Sequence, residues 1–286
     1  MEPREKGIGF RVEDLNCMSI MSNCNSVLPQ SLTMTLDLEP WVIKTMATPC
    51  GVINLGLTPY KEALSLQRRL AALRAEGSGG DLLLLLQHLP VITLGRGGQK
   101  AHLLAPESSL AARGIEFIEV ERGGDITYHG PGQLVGYPIL DLAEHGRDLH
   151  HYLRNLERVL IETLLSFGVE ADRSFGRTGV WVGERKIASI GIHVTRWVTR
   201  HGFALNVDMD LAPFELIVPC GIQGAAATSM AQELSHPVPV DDVIPVLAER
   251  FETTFGRRLV PVSLPLLLSS IGASAESVPA ALCPSI

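Results

Sequence analysis

Cysteine is scarce in this chain. Five occur in 286 residues, at positions 17, 24, 50, 220 and 283, and no two are spaced as Cys-x-x-Cys. An odd number at wide spacing excludes a disulfide framework and a zinc knuckle, and it leaves at least one thiol free. Long apolar runs are missing too. The longest leucine run, Leu82 to Leu86, stops at Gln87 and His88, far short of the roughly 18 residues a membrane helix needs. No membrane partner is expected. Positive charge is in deficit, with 24 Lys and Arg against 31 Asp and Glu for a net charge of −7. A general nucleic-acid-binding role is excluded on that ground. There is no Gly-Lys-Ser/Thr phosphate loop, no GxGxxG and no HExxH or HxxxH, so neither a nucleotide cofactor nor a metal is expected. The first 40 residues carry Glu2, Glu5, Glu13, Asp14, Asp37 and Glu39 against Arg4, Lys6 and Arg11. That is neither a secretory signal nor an Arg-rich presequence, and a cytoplasmic protein is the expectation.

What is present suffices for a folded domain. Hydrophobic residues make up 46% and charged residues 19%, outside the range of disordered chains. Residues 1–45 show no sustained periodicity and read as a loosely ordered extension. Residues 46–262 read as the folded domain, and 263–286 as a tail of small residues with Pro279 and Pro284. Thr58-Pro59 predicts a helix start, with Ala63, Leu66, Leu70 and Leu73 at helical spacing and a stop at Gly77. Leu82–Gln87, Val91–Leu94 and Ile115–Val120 predict strands. Asp148 predicts the cap of a helix carrying Leu149, Leu153, Leu156, Leu160 and Leu164. Val180–Val182 and Lys186–Val194 predict a hairpin across Gly183, Glu184 and Arg185. Phe203–Val207 predicts a further strand. Asp241 predicts the cap of a last helix with Ile244, Leu247, Phe251 and Phe255. Helices and strands mix without a βαβ rhythm, which favours an α+β fold on a mixed, mostly antiparallel sheet flanked by helices.

Three segments concentrate chemistry. The first runs Arg122, Gly123, Gly124, Asp125, Ile126, Thr127, Tyr128, His129, Gly130, Pro131, Gly132, Gln133. Glycine pairs let backbone amides approach a ligand; the same pattern also describes an ordinary Gly-rich turn. In the second, Lys186 opens an apolar strand in which Ser189 and Gly191 leave little bulk on one face. A lysine there either snorkels to water at the sheet edge or aims an ammonium at a site. In the third, Cys220 stands between Pro219 and Gly221, a constrained setting that no other cysteine of the chain shares. Most lone cysteines are inert core residues, and that reading stands beside the nucleophilic one.

In their order, Arg122-Gly-Gly with Thr127 and His129-Gly-Pro-Gly-Gln133, Lys186-Ile-Ala-Ser-Ile-Gly191, His201-Gly-Phe-Ala-Leu-Asn206 and Pro219-Cys-Gly-Ile222 resemble the lipoyl(octanoyl) transferase family over about Gly51 to Val260. The resemblance implies the fold shared by biotin and lipoate protein ligases. It implies octanoyl-[acyl-carrier-protein] as donor and, as acceptor, a lysine of the lipoyl domains of 2-oxoacid dehydrogenase complexes or of the glycine cleavage H protein. It makes 46–262 an acyltransferase domain, expected to act as a monomer. It assigns acyl-thioester formation to Cys220 and lowering of that thiol's pKa to Lys186. The acyl-binding positions it implies are Arg122 to His129, Ser189, Ile190 and Gly191, and Gly202, Phe203 and Ala204. Asp125 departs from the residue more usual in the family after the Gly pair, and its carboxylate is expected to point away from the acyl chain.

The chemistry is consistent with those roles. Exchange between thioesters is nearly isoenergetic, so a cysteine can accept an acyl group from a carrier without ATP, provided it is a thiolate. A free thiol is only a few per cent ionised at neutral pH, and an adjacent ammonium raises that fraction. Two other readings remain in play. An ATP-dependent ligase on the same fold would not need Cys220, and a non-catalytic carrier-binding module would form no adduct. Arg173, Arg177, Arg185, Lys186, Arg196 and Arg200 against Asp172 and Glu184 give residues 172–200 a local charge of six minus two, or +4. A basic rim that docks an acidic carrier, with a steep salt dependence, is the expectation.

Overall fold

A computed structural model of the chain describes residues 47–219 and 226–270. All of them belong to the unit Met46–Ile286. Residues 1–45, Cys220 and the stretch beyond residue 270 lie outside the described residues.

The five-leucine run sets the centre of the fold. Strand β2 (Asp81–His88) lies between β1 (Thr48–Thr58) and β6 (Gln133–Ile139) in an eight-stranded sheet. Side chains alternate across a strand. Leu83 and Leu85 therefore enter one core with helices α3 (Leu149–Ser166) and α5 (Val240–Phe255), while Leu82, Leu84 and Leu86 enter another with α1 (Tyr60–Ala75). A strand covered on both faces carries an unbroken apolar run rather than an alternating one. The rest of the sheet is built from β7 (Asp172–Ser174), β8 (Arg177–Val182), β9 (Arg185–Thr195), β10 (Val198–Asn206) and β11 (Arg257–Pro261), in the order β11-β1-β2-β6-β10-β9-β8-β7. The β11–β1 and β1–β2 pairs are parallel and the others antiparallel. A second sheet holds β3 (Val91–Leu94) between β4 (Glu116–Glu119) and β5 (Ile126–His129). The fold is thus α+β on mixed, mostly antiparallel sheets. No helix among the described residues is long and apolar enough to cross a membrane.

Local expectations meet tertiary facts at several points. Asp148 accepts from the His151 amide at 2.9 Å and caps α3, whose Leu156, Leu160 and Leu164 are fully buried. The β8–β9 hairpin forms as expected. Thr58, however, closes β1, and α1 is preceded by Pro59 with no side-chain cap. Asp241 likewise lies inside the first turn of α5, after Pro239. There its charge favours the helix dipole rather than capping it. Cys50 sits within β1. Leu82–Gln87 and Val91–Leu94, neighbours in sequence, enter different sheets because β3 turns to pair with β4 and β5. Packing also continues past Val262: helix α6 (Leu264–Ser270) buries Leu264 and Leu268 against the α1 core, so these residues are not tail.

Candidate functional site

The small sheet lies over β9 and β10, and an open-mouthed cavity lies between the two sheets. Its walls take Arg122, Gly124, Asp125, Ile126, Thr127 and His129 from the Gly-rich segment and β5. They take Lys186, Ser189, Ile190 and Gly191 from β9, and Gly202, Phe203 and Ala204 from β10. The Gly-rich segment, the Lys186 segment and the His201–Asn206 motif meet here, with β10 paired to β9 so that Gly202 lies opposite Gly191 and Ala204 opposite Ser189. The amide of Gly123 donates to the Ile192 carbonyl at 2.8 Å and ties the Gly-rich loop to β9. Among the described residues, Gly123 and Tyr128 are the expected site residues that do not line the cavity; Tyr128 packs on Phe214 under the small sheet instead.

Arg122 is buried and acts as an internal strut. Its Nη1 donates to the Asp125 carbonyl at 2.7 Å, and its Nη2 to the Thr93 carbonyl at 2.7 Å and hydroxyl at 2.8 Å. Asp125 turns its carboxylate to His102 (2.5 Å) and to the Ile126 amide (2.7 Å). The charge is thereby held by partners, which meets the cost of burying a carboxylate. Gly191 and Gly202 allow close approach of neighbouring backbone. A Cβ would stand 2.9 Å from the Gly123 carbonyl oxygen at the first, and 2.3 Å from that of Gly136 at the second.

Lys186 does not snorkel to water: it is 8% exposed. Its amide donates to the Ala226 carbonyl at 2.9 Å, and its carbonyl accepts from the Thr228 amide at 3.0 Å. A buried polar chain reinforces that clamp. His129 Nδ1 donates to Gln133 Oε1 (2.7 Å), Gln133 Nε2 donates to Asn206 Oδ1 (2.9 Å), and Asn206 Nδ2 donates to the Thr228 carbonyl (2.8 Å). Satisfied buried networks of this kind hold one geometry. On the other side of Cys220, the Val218 amide donates to the His102 carbonyl at 2.8 Å. Both described flanks of the Cys220 stretch are therefore anchored beside the cavity. Cys220 itself lies outside the described residues.

Tyr60, Tyr137 and His201 also line the cavity and were missing from the expected site. Tyr60 and Tyr137 stand outside the Gly-rich and Lys segments, so spacing offered no signal; His201 opens a quoted motif. Behind them His88 donates from Nδ1 to the Thr58 carbonyl (2.8 Å) and accepts the Tyr137 hydroxyl at Nε2 (2.7 Å). Burial depresses the imidazoles: His88 to about 4, His201 to about 3, and His129 well below the usual histidine value. It pushes the phenols of Tyr60, to about 12, and Tyr137 upward. This wall is uncharged at neutral pH. Lys186 and His201 mark opposite ends. His201 pairs with Ile192, six residues along β9 from Lys186, which is ~20 Å at the rise of a strand.

Cys50, the cysteine among the described residues, is fully buried in β1 and does not line the cavity. Burial and the charge of Asp81 push its thiol up to about 12, against a smaller opposing effect of Arg257. No cluster of three His, Cys, Asp or Glu side chains among the described residues is arranged to hold a metal.

Comparison with known proteins places this architecture. Residues 59–252 match the model of the lipoyl protein ligase A/B catalytic domain. The backbone superposes on a lipoate-protein ligase A crystallised with ATP (TM-score 0.59, 16% identity, 79% of this chain and 94% of that one). It also superposes on a bipartite lipoate protein ligase from Thermoplasma acidophilum (TM-score 0.59, 18% identity, 79% and 91%). At these identities the likeness speaks for the fold alone. In sequence the chain is 51% identical to an octanoyltransferase of Geobacter metallireducens over 206 residues, covering 72% of this chain and 93% of the relative. It is 51% identical to an octanoyltransferase of Gloeobacter violaceus over 221 residues (77% and 96%). The chain belongs to the lipoyl protein ligase A/B catalytic domain family. Within that family it is an acyltransferase of the lipoyl(octanoyl) transferase type, acting in lipoate biosynthesis.

Proposed function

We propose that the chain takes an octanoyl group from octanoyl-[acyl-carrier-protein] onto Cys220 as a thioester and passes it to a lysine of a lipoyl domain, in 2-oxoacid dehydrogenase complexes or the glycine cleavage H protein. The observation that carries this reading is the clamp on Lys186. A buried lysine on the cavity wall is bonded through its backbone to Ala226 and Thr228, just beyond the Cys220 stretch. The inertness of Cys50 supports the same choice of nucleophile.

In the first step the Cys220 thiolate attacks the donor thioester carbonyl, the new C–S bond forms and the carrier's C–S bond breaks. The departing thiolate takes a proton from the Lys186 ammonium. In the second step the neutral amine of the acceptor lysine attacks the acyl-enzyme carbonyl. The amide forms, Cys220 leaves as thiolate, and the proton shed by the new amide nitrogen returns to Lys186. The thiolate and ammonium are restored, and no ATP is consumed because thioester to amide is downhill. The apolar acyl chain lies along β9 and β10, between Lys186 and His201.

The test is intact mass spectrometry after mixing the full chain with octanoyl carrier protein in the absence of ATP. Wild type should gain one octanoyl group, and Cys220→Ala should gain none while melting as wild type does. An adduct of undiminished yield in Cys220→Ala, or a requirement for ATP, would overturn the proposal.

A further inference from the structure

Lys186 is held in place by a set of residues outside the motifs that mark the site. Between β8 and β9 the register slips by one residue: Val180 opposes Ala188 but Trp181 opposes Lys186. The extra residue on β9 is a β-bulge, a device that re-aims the side chain beside it. The Lys186 ammonium then lies over the Trp181 ring, 5.3 Å from its centre. That is within the range at which a ring face attracts a cation.

Space for the ammonium is made by Gly179. Its φ is 122°, in the region that disfavours side chains. A Cβ there would stand 2.7 Å from Lys186 Cε, 3.2 Å from Nζ and 2.6 Å from the Ala188 carbonyl oxygen. Gly179 is in turn tied to helix α3. Its amide donates to Glu157 Oε1 at 3.4 Å. Glu157 is 1% exposed. Its other oxygen accepts from Arg154 Nη1 at 2.6 Å and Arg173 Nε at 2.9 Å. A buried carboxylate needs such partners, and the two guanidinium groups hold it against the β8 backbone.

We infer that Glu157 and Gly179 are positioning residues that, with the β9 bulge and the Trp181 ring, fix where the Lys186 amine points. The inference rests on the catalytic role proposed for Lys186 but is tested separately from it. Two variants serve. Gly179→Ala puts a methyl group against Lys186 Cε, and Glu157→Gln keeps the shape of the anchor while removing its charge.

Two readouts are needed. The first is the NMR signal of isotope-labelled Lys186 Cε and its protons, displaced by the Trp181 ring current. It requires no catalysis. That displacement should shrink in Gly179→Ala, and to a smaller extent in Glu157→Gln. The second is kinetic. Gly179→Ala should lower kcat by about tenfold to a hundredfold with KM for the octanoyl carrier within about twofold, because only the proton-handling group has moved. Alkylation of Cys220 should need a higher pH in the same variant. In a Lys186→Ala background the Gly179→Ala change should add nothing, since residues acting through one another are not additive.

If both variants leave the Lys186 signal and the alkylation profile as in wild type, or if the losses from Gly179→Ala and Lys186→Ala simply add, the positioning role is wrong. If Lys186→Ala itself leaves the Cys220 profile unchanged, it is the catalytic reading that fails, while the NMR signal still decides the positioning. Should Gly179→Ala not fold, Glu157→Gln carries both readouts.

Discussion

Two buried polar clusters flank β2, and they settle the same problem in opposite ways. At one end Asp81 accepts Arg74 Nε at 2.9 Å and Arg257 Nε at 3.1 Å. Arg74 and Arg257 also reach Glu144 at 2.5 and 3.2 Å. Burial opposes the Asp81 charge, but hydrogen bonds from His145, Arg74 and the Asp141 amide hold its pKa below the usual carboxylate value. This clasp joins α1, β2 and β11 through full charges. At the cavity end His88, His129, Tyr60 and Tyr137 are equally buried but neutral, kept so by desolvation. Saturating charges with partners locks elements together and leaves nothing to offer a ligand. A neutral aromatic and imidazole wall borders open space at little electrostatic cost. One cluster serves the fold and the other the site.

The comparison can be broken by substitutions that separate activity from stability. The largest effect should come from Lys186→Ala, which should cut kcat/KM by about a thousandfold through loss of proton transfer and thiolate support. Its melting temperature should move little. Lys186→Arg should recover part of the thiol's ionisation but not the turnover, because guanidinium does not release its proton. A melting-temperature loss matching the activity loss would show that Lys186 belongs to the fold instead.

Asp81→Ala should do the reverse. It removes the buried carboxylate that Arg74 and Arg257 share and leaves them to the more exposed Glu144, at a cost of about 3 kcal/mol. The protein that remains folded should turn over at the wild-type rate, as urea unfolding and active-site titration would show. Reduced turnover per folded molecule would join the clasp to the site.

Acid should sharpen the contrast. A histidine whose folded pKa lies below its unfolded value contributes stability above the unfolded pKa and loses it as pH falls. The unfolded chain binds protons below about 6.5, while His88 and His201 resist protonation until about 4 and 3. Stability should therefore drop between pH 6.5 and 4, by up to about 1.4 kcal/mol per pH unit for each such histidine. The Asp81 clasp should hold through this window, since its carboxylate pKa is lowered, and should weaken only in stronger acid. A flat melting curve between pH 7 and 5 would contradict the neutral assignment of the cavity wall.

The smallest effect concerns the basic rim. Its formal charge is largely neutralised within the protein: Arg173 pairs with Glu157, Arg177 with Glu184, Arg185 with Glu233 and Arg200 with Glu121. Salt dependence should accordingly be shallower than the charge count alone suggests. Arg196→Glu, at the exposed turn after β9, should reduce use of the carrier-bound donor by no more than about fivefold and spare a small octanoyl thioester. A loss well beyond that, confined to the carrier-bound donor, would restore the rim as the main docking surface.

Much of the fold was legible in residue order. The apolar stripe of α3, its Asp148 cap and the β8–β9 hairpin are local patterns whose burial follows their period. Strand β6 was not legible, because Gly136 and Pro138 interrupt its pattern and its burial comes from β2 and β10 on either side. Helix α6 was missed because a short leucine-rich turn becomes a helix only by packing on the α1 core. Of the site, the motifs carried the Gly-rich loop, Lys186 and the β9–β10 floor. Tyr60 and Tyr137 carried no motif, and only their approach across the sheets makes them cavity wall.

By itself the sequence determined the family, through the order of four short motifs, and which residue types could carry chemistry, because reactivity and backbone freedom are properties of the residues themselves. It also determined which segments are apolar enough to be buried. Only the tertiary structure decided that Lys186 is buried rather than at a wet edge, that Asp125 turns to His102, and that Glu157 on a distant helix reaches the strand beside the lysine. Those outcomes depend on partners brought together from positions as far apart as residues 157 and 179, or 102 and 125. An electrostatic or packing energy exists only once both groups are in place.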